Sequence, residues 1–432
     1  MTGHGVEPQL AVDPRLRAKL ARLRSPDQPN TEDESERSCE DTLLARIAWS
    51  RLVEPGDGTA GALLAALGPA PALRLLIEGV SSRAIAERAE AAGADLARRN
   101  LDEALDRWRP RLDRRATLGD IERAIAAGLR VIMPGDSCWP EGFADLGAHA
   151  PTVLWTRGDP ALLRAPGLSV VGARAATGYG SHVTAEIVDG VCAAGIVIVS
   201  GAAYGIDAVA HRTALAAEAP TVAVLAGGAD RAYPQAHDSL LERIGREGLV
   251  CAEMIPGSAP TKWRFRARNR LIAALTPATL VTEAGIRSGS INTAGHAATL
   301  GRALGAVPGP VTSAASTGCH LLIREYGAML VANAREACEL LDIGDQLELF
   351  GKERLDGVGG AAGAGEQRVP PVHERVLDAI PLRGGRTSDD IARRAGLSPT
   401  ETRGALAELE LLGRVRNAET AGGGELRWSL SR

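Results

Sequence analysis

Six short aliphatic runs, at residues 168–172, 196–200, 221–226, 249–251, 279–282 and 303–307, alternate with stretches whose apolar residues recur at helical spacing, among them 181–194, 207–217, 237–246 and 291–300. Runs this short and this apolar suit strands buried on both faces, and strand–helix–strand alternation in one sheet demands right-handed crossovers. The pattern predicts an α/β fold over 131–345: a Rossmann-like doubly wound, mostly parallel sheet with helices on both faces. Sheets of this kind take ligands at the carboxyl ends of their strands, which is where this sequence places its Gly/Ser-rich turns.

The flanks read differently. Residues 1–40 are polar and charged, with too few apolar side chains to offset ordering entropy, and are expected to be disordered. Helical periodicity broken by Pro55-Gly56 and Gly68-Pro69 predicts a small all-helical N-terminal domain over 41–130, of a sterile-α-motif or helix-hairpin-helix kind. Such a domain either grips backbone phosphate or serves as a packing or protein-contact module, and both readings stand. A Gly/Ala-rich linker follows at 346–371, then a C-terminal winged helix at 372–432, with helices expected at 374–380, 387–395 and 398–412. Strands at 415–418 and 425–430 complete it. Its second long helix carries Glu401, Glu408 and Glu410 against Arg403, which argues against reading a duplex major groove and for protein contact or an accessory role.

A chain of 432 residues has room for several such domains. Its six cysteines form no CxxC pair, and its eight histidines are dispersed, so neither a metal site nor a cofactor is expected. The sequence has no membrane-length apolar run and no signal peptide, from which a cytoplasmic protein is expected.

Against a net charge of −4 and an aromatic content of 3%, the stretch from Thr261 to Arg270 stands out. It holds five cations (Lys262, Arg264, Arg266, Arg268, Arg270) and two rings (Trp263, Phe265) with no acidic residue. Cations hold phosphates and rings stack on bases, so the combination points to single-stranded nucleic acid. The plainer reading is a solvated face, with Arg268-Asn269-Arg270 setting a helix that begins near Leu271. Exposed Trp263 and Phe265 count against it.

Four turns are suited to anions: 171–180 with Gly172 and Arg174, 200–207 with Ser200 and Gly201, 282–293 with Ser288, Gly289 and Ser290, and 308–320. The glycine spacing of the first is wrong for GxGxxG and no acidic residue ends the second strand, which disfavours a dinucleotide. Ser200, Asp207 and His211 suggest a hydrolase triad, but no strained GxSxG elbow is present. Asp207 capping its helix and bonding His211 is the expected arrangement. Four such turns beside a basic run suit an extended polyanion better than one mononucleotide.

Taken in order, VGARAATGYG (171–180), SGAAYGIDAVAH (200–211), VLAGGADRAYP (224–234), FRARNRLIAAL (265–275), TEAGIRSGSINTA (282–294) and GAVPGPV with TGCHLLI (305–323) resemble the signature of the DprA (Smf) family of DNA-processing proteins. The resemblance implies a non-enzymatic protein that binds and shields single-stranded DNA, loads the RecA recombinase in recombination and natural transformation, and works as a homodimer. It places the family's phosphate-binding arginine on Arg174, its lysine on Lys262 and its base-contacting phenylalanine on Phe265. Gly172, Ser200, Gly201, Ser288, Gly289 and Ser290 would add backbone and hydroxyl contacts, and Arg268 and Arg270 complete the candidate DNA-binding set. Arg266 replaces a usual proline. Two other readings compete: a Rossmann-like nucleoside-monophosphate glycoside hydrolase, whose PGGxGTxxE signature is missing, and a winged-helix transcription factor.

Overall fold

The computed structural model describes residues 13–24 and 33–341 and, between 373 and 431, all but 374, 375, 378, 382, 383, 396, 412 and 419–425. It divides into two compact units, Met1–Asp356 and Gly357–Arg432. The linker expected at 346–371 lies outside the described residues.

Among its described residues the first unit begins with the helices α1 (Pro14–Leu23), α2 (Asp33–Leu52), α3 (Gly58–Leu67), α4 (Pro69–Ile77), α5 (Ser82–Ala91), α6 (Arg98–Trp108) and α7 (Arg114–Ala126). Part of the stretch expected to be disordered is therefore helical. Asp13 accepts the N–H of Leu16 at 2.7 Å and Pro14 pre-sets the first turn, while Leu16, Leu20 and Leu23, spaced along one face, are buried. The leucine stripe is short, three residues within a stretch that is otherwise polar.

The expected boundary near residue 130 does not divide the unit either. Those leucines share a core with Leu43, Ile47 and Ile121 and with Trp155, Leu225 and Val250 of the sheet, whereas α3 to α6 close around a core of their own containing Trp49 and Trp108. No single helix among the described residues is long and apolar enough to cross a membrane.

The sheet has nine strands: β1 (Arg130–Ile132), β2 (Leu154–Gly158), β3 (Gly167–Val171), β4 (Val197–Ser200), β5 (Thr221–Gly228), β6 (Leu249–Met254), β7 (Ala278–Val281), β8 (Ala303–Ala306) and β9 (Met329–Leu330). Their order is β1-β2-β6-β5-β4-β3-β7-β8-β9. From β6 through β9 neighbours run parallel, and β2 and β1 extend that edge antiparallel. This is the doubly wound fold expected, with β1, β2 and the two-residue β9 added. Crossovers are made by α8 (Gly178–Ala193), α9 (Ile206–Ala216), α10 (Asp238–Glu247), α11 (Lys262–Leu275), α12 (Ser290–Thr299) and α13 (Thr317–Glu325), and α14 (Ala334–Glu339) packs on α8. From β3 the chain winds one way to β4, β5 and β6, then returns to the other side of β3 at β7. The turns after β3 and β7 therefore flank a topological switch point, where open α/β sheets bind ligands.

The second unit is a winged helix. Helices α15 (Ser388–Ala395) and α16 (Pro399–Leu411) pack against a three-stranded antiparallel sheet of β10 (Arg386–Thr387), β11 (Val415–Ala418) and β12 (Arg427–Leu430), in the order β10-β12-β11. Val376, Ile380, Ile391, Leu406 and Leu409 fill its core.

Candidate nucleic-acid interface

An open cleft of about 600 Å³ lies at the switch point. The turn after β3 contributes Gly172 and Arg174, the turn after β7 contributes Arg287, Ser288, Gly289 and Ser290, and α11 closes the third side. Thr261 caps α11 by accepting the N–H of Arg264 at 3.2 Å, so the helix starts at Lys262 and not near Leu271.

That start divides the basic run by helical geometry. Lys262, Phe265, Arg266 and Asn269, at positions i, i+3, i+4 and i+7, share one face and line the cleft. Arg264 turns the other way and makes two bonds of 2.9 Å to Glu54 of the N-terminal helices. Trp263, 62% exposed, is not among the cleft-lining residues.

The electrostatics of the cleft are one-sided. Among the described residues, Arg174, Lys262, Arg266 and Arg287 have no carboxylate within ion-pair distance. The acidic residue in the lining, Asp207, is withdrawn beneath it; its carboxylate accepts the N–H of Ala203 at 3.3 Å. Burial pushes the Asp207 carboxyl above its usual range, with Arg268 opposing. Cations in the first turns of α11, with no acidic residue there, also oppose the helix dipole, at a cost of about 0.3–1 kcal/mol per charge. An anionic ligand would relieve both strains at once.

Two rings complete the cleft. Arg174 Cζ lies 4.7 Å from the centroid of Phe265, and the ring of Tyr233 lies 5.5 Å from it at 53°. Tyr233 was absent from the sequence-derived candidates. In a chain with so few aromatics, a tyrosine in the loop after β5 was a usable signal.

Several candidates lie elsewhere. Ser200 is fully buried and its hydroxyl donates to the Val170 carbonyl at 2.6 Å. Gly201 is also buried, and its hydrogen faces the Arg268 guanidinium, leaving no room for a β-carbon. Arg268 borders the cleft but is 5% exposed and donates to the Val224 carbonyl at 2.5 Å; burial lowers its pKa to about 10. Arg270 is ion-paired with Glu253 at 2.8 Å in the interior. Ser200, Gly201 and Arg270 are not among the cleft-lining residues, and Arg268, which is, directs a donor to the Val224 carbonyl beneath the cleft. Gly172, Arg174, Lys262, Phe265, Ser288, Gly289 and Ser290 do line it, with the Ser288 and Ser290 hydroxyls 2.7 Å apart.

No triad assembles from Ser200, Asp207 and His211. His211 Nδ1 bonds Thr221 Oγ1 at 2.8 Å, not Asp207 as expected. The anion seat at the α8 N-terminus is already filled: the Glu283 carboxylate accepts the Thr177 N–H at 2.8 Å and its hydroxyl at 2.5 Å. The fourth turn is tied into the protein, with Tyr179 donating to the Pro308 carbonyl and His320 bonding Gly309. It is not part of the cleft lining.

Comparison with known proteins gives a consistent result. Residues 130–342 match the family described as DNA recombination-mediator protein A, and residues 361–419 match the DprA winged helix domain. A Mycobacterium tuberculosis relative that carries the DprA name is 42% identical over 382 residues, 85% of this chain and 91% of its own. The DNA processing protein DprA of Streptococcus pneumoniae is 40% identical over 201 residues, 46% of this chain and 70% of its own. The X-ray structure of DprA from Streptococcus pneumoniae aligns with a TM-score of 0.55 at 30% identity, covering 69% of this chain and 96% of that one.

Proposed function

The chain belongs to the DNA recombination-mediator protein A family, DprA or Smf, and from that premise we propose that its cleft binds single-stranded DNA without enzymatic turnover. The observation that carries this reading is the set of cations around Phe265 at the switch point, Arg174, Lys262, Arg266 and Arg287, which have no carboxylate within ion-pair distance among the described residues. Arg174 and Lys262 hold phosphates, and Phe265 stacks on a base. Since every base has a π-face, binding is largely sequence-independent and strongly salt-sensitive.

The same reading takes the protein to be a cytoplasmic RecA loader acting in recombination or natural transformation, and a homodimer. Strand β9, at the edge of the sheet, offers exposed Met329 and Leu330 beside Tyr326, which supports self-association. The rival hydrolase reading is weakened by Glu283, because a mononucleotide phosphate at the α8 N-terminus would meet a carboxylate. Release of adenine from AMP would restore it.

Fluorescence anisotropy with labelled oligo-dT tests the cleft. Arg174→Ala and Lys262→Ala are expected to weaken binding; unchanged affinity in both would falsify the assignment. RecA filament assembly on oligonucleotides coated with single-strand-binding protein tests the mediator role, and an absence of stimulation would count against it.

A further inference from the structure

We infer that Tyr233 is a second base-contacting ring of the cleft, and that Arg174 holds, in the unliganded chain, the face of Phe265 that an incoming base takes. This rests on the single-strand reading above and specifies how the bases are held.

The loop that carries Tyr233 is anchored on both sides of it. Asp230 accepts the N–H of Gly257 at 2.8 Å, and buried His237 bonds the Ala202 carbonyl through Nδ1 at 3.0 Å. The ring is nevertheless 50% exposed and borders the cleft, and its hydroxyl has no hydrogen-bond partner among the described residues. A tyrosine serving only to pack would turn more of its ring inward, whereas this one leaves half of a large apolar surface at the cleft. Its plane is tilted by 53° from that of Phe265, with centroids 5.5 Å apart, so the two rings form an open wedge and not a closed stack.

Arg174 lies over Phe265 with no carboxylate within ion-pair distance among the described residues, and the buried Asp207 acts on it only through space. An exposed cation–π contact is weaker than the stacking of a base on an aromatic ring. A guanidinium also binds a phosphate more strongly than it binds a ring, through charge-assisted, bidentate hydrogen bonds. A nucleotide entering the cleft therefore wins both exchanges: its base displaces Arg174 from Phe265 and contacts Tyr233, while the freed guanidinium takes a phosphate. Arg174 thus reads the backbone, and Tyr233 and Phe265 read the presence of a base.

Two oligomers of equal length separate these roles, oligo-dT and its abasic sugar–phosphate counterpart, titrated by anisotropy against the full chain. Tyr233→Leu is expected to weaken oligo-dT binding about fivefold or more while leaving abasic binding within about twofold. Tyr233→Phe is expected to behave as the unaltered chain, and Arg174→Ala to weaken both oligomers alike. Unchanged oligo-dT binding by Tyr233→Leu, or an equal loss on both oligomers, overturns the inference. If the unaltered chain binds neither oligomer, the single-strand reading itself fails, and this one with it.

Discussion

Arg270 Nη2 stands 2.8 Å from Glu253 Oε1, with both side chains almost wholly withdrawn from solvent. The guanidinium also donates to the carbonyls of His149 and Ala267. Glu253 in turn accepts the N–H of Gly56, so the pair joins α11, β6 and the N-terminal helices. Removing one member of such a pair strands the other charge. Arg270→Ala is expected to cost about 3–5 kcal/mol in urea unfolding, and Arg270→Met with Glu253→Leu to recover much of it. A loss below about 1 kcal/mol would contradict a structural role for the pair.

The salt dependence of binding sorts the basic run further. Each phosphate contact on a single strand contributes about −0.7 to the slope of log K against log salt. Lys262→Ala and Arg174→Ala should each flatten that slope by roughly this amount. Arg264→Ala, which removes a cation already held by Glu54, should leave it unchanged. Equal effects from Lys262 and Arg264 would show that bulk charge, not the cleft, drives binding.

How much of this was legible in the sequence depended on periodicity. Strands β3 to β8 and the helices α8, α9, α10 and α12 are visible in the sequence because buried strands are short and apolar and these helices keep a repeating stripe. Strands β1, β2 and β9 are not: Arg130–Ile132 and Met329–Leu330 are too short to form a run, and β2, Leu154–Gly158, is broken by Thr156 and Arg157 after two apolar residues. The cationic run was conspicuous by composition, yet composition treats Lys262 and Arg270 alike. Only the placement of the Thr261 cap, which sets the rotation of every later side chain, sends one to solvent and the other to the interior. Ser200 and Gly201 misled for a related reason: a Gly/Ser turn at a strand end reads as an anion site whether its groups face the cleft or the core. Glu283 was unreadable as an internal anion because its partner, Thr177, is more than a hundred positions away.

Gly201 gives a direct test of the support beneath the cleft. A β-carbon there would overlap the Arg268 guanidinium, which is fixed by the Val224 carbonyl and faces Asp207. Gly201→Ala is expected to lower stability by about 1–3 kcal/mol, as other overpacking substitutions do, read from thermal or urea unfolding. Full stability would mean that Arg268 has room to move, and that the cleft floor is less fixed than the packing indicates.

His211 gives the fold an acid-sensitive point behind the site. It is fully buried, and because the Thr221 hydroxyl donates to the Ile198 carbonyl, His211 Nδ1 must donate to Thr221. Its Nε2 has no partner among the described residues. Burial, reinforced by His237 and Arg268, holds its pKa down to about 3, against 6.5 for an ordinary histidine. Between those values the unfolded chain takes up a proton that the folded chain refuses. The contribution is therefore complete above the unfolded pKa and is lost as pH falls toward the folded one. From pH 7 to pH 5 this group alone should remove about 2 kcal/mol of stability. Asp207, whose pKa is raised, acts in the opposite sense on acidification, but equally in both proteins compared. His211→Asn, which can keep the bond to Thr221 without titrating, is expected to lose correspondingly less stability between those two pH values in urea unfolding. The same loss in both proteins would mean that His211 is not the group that titrates.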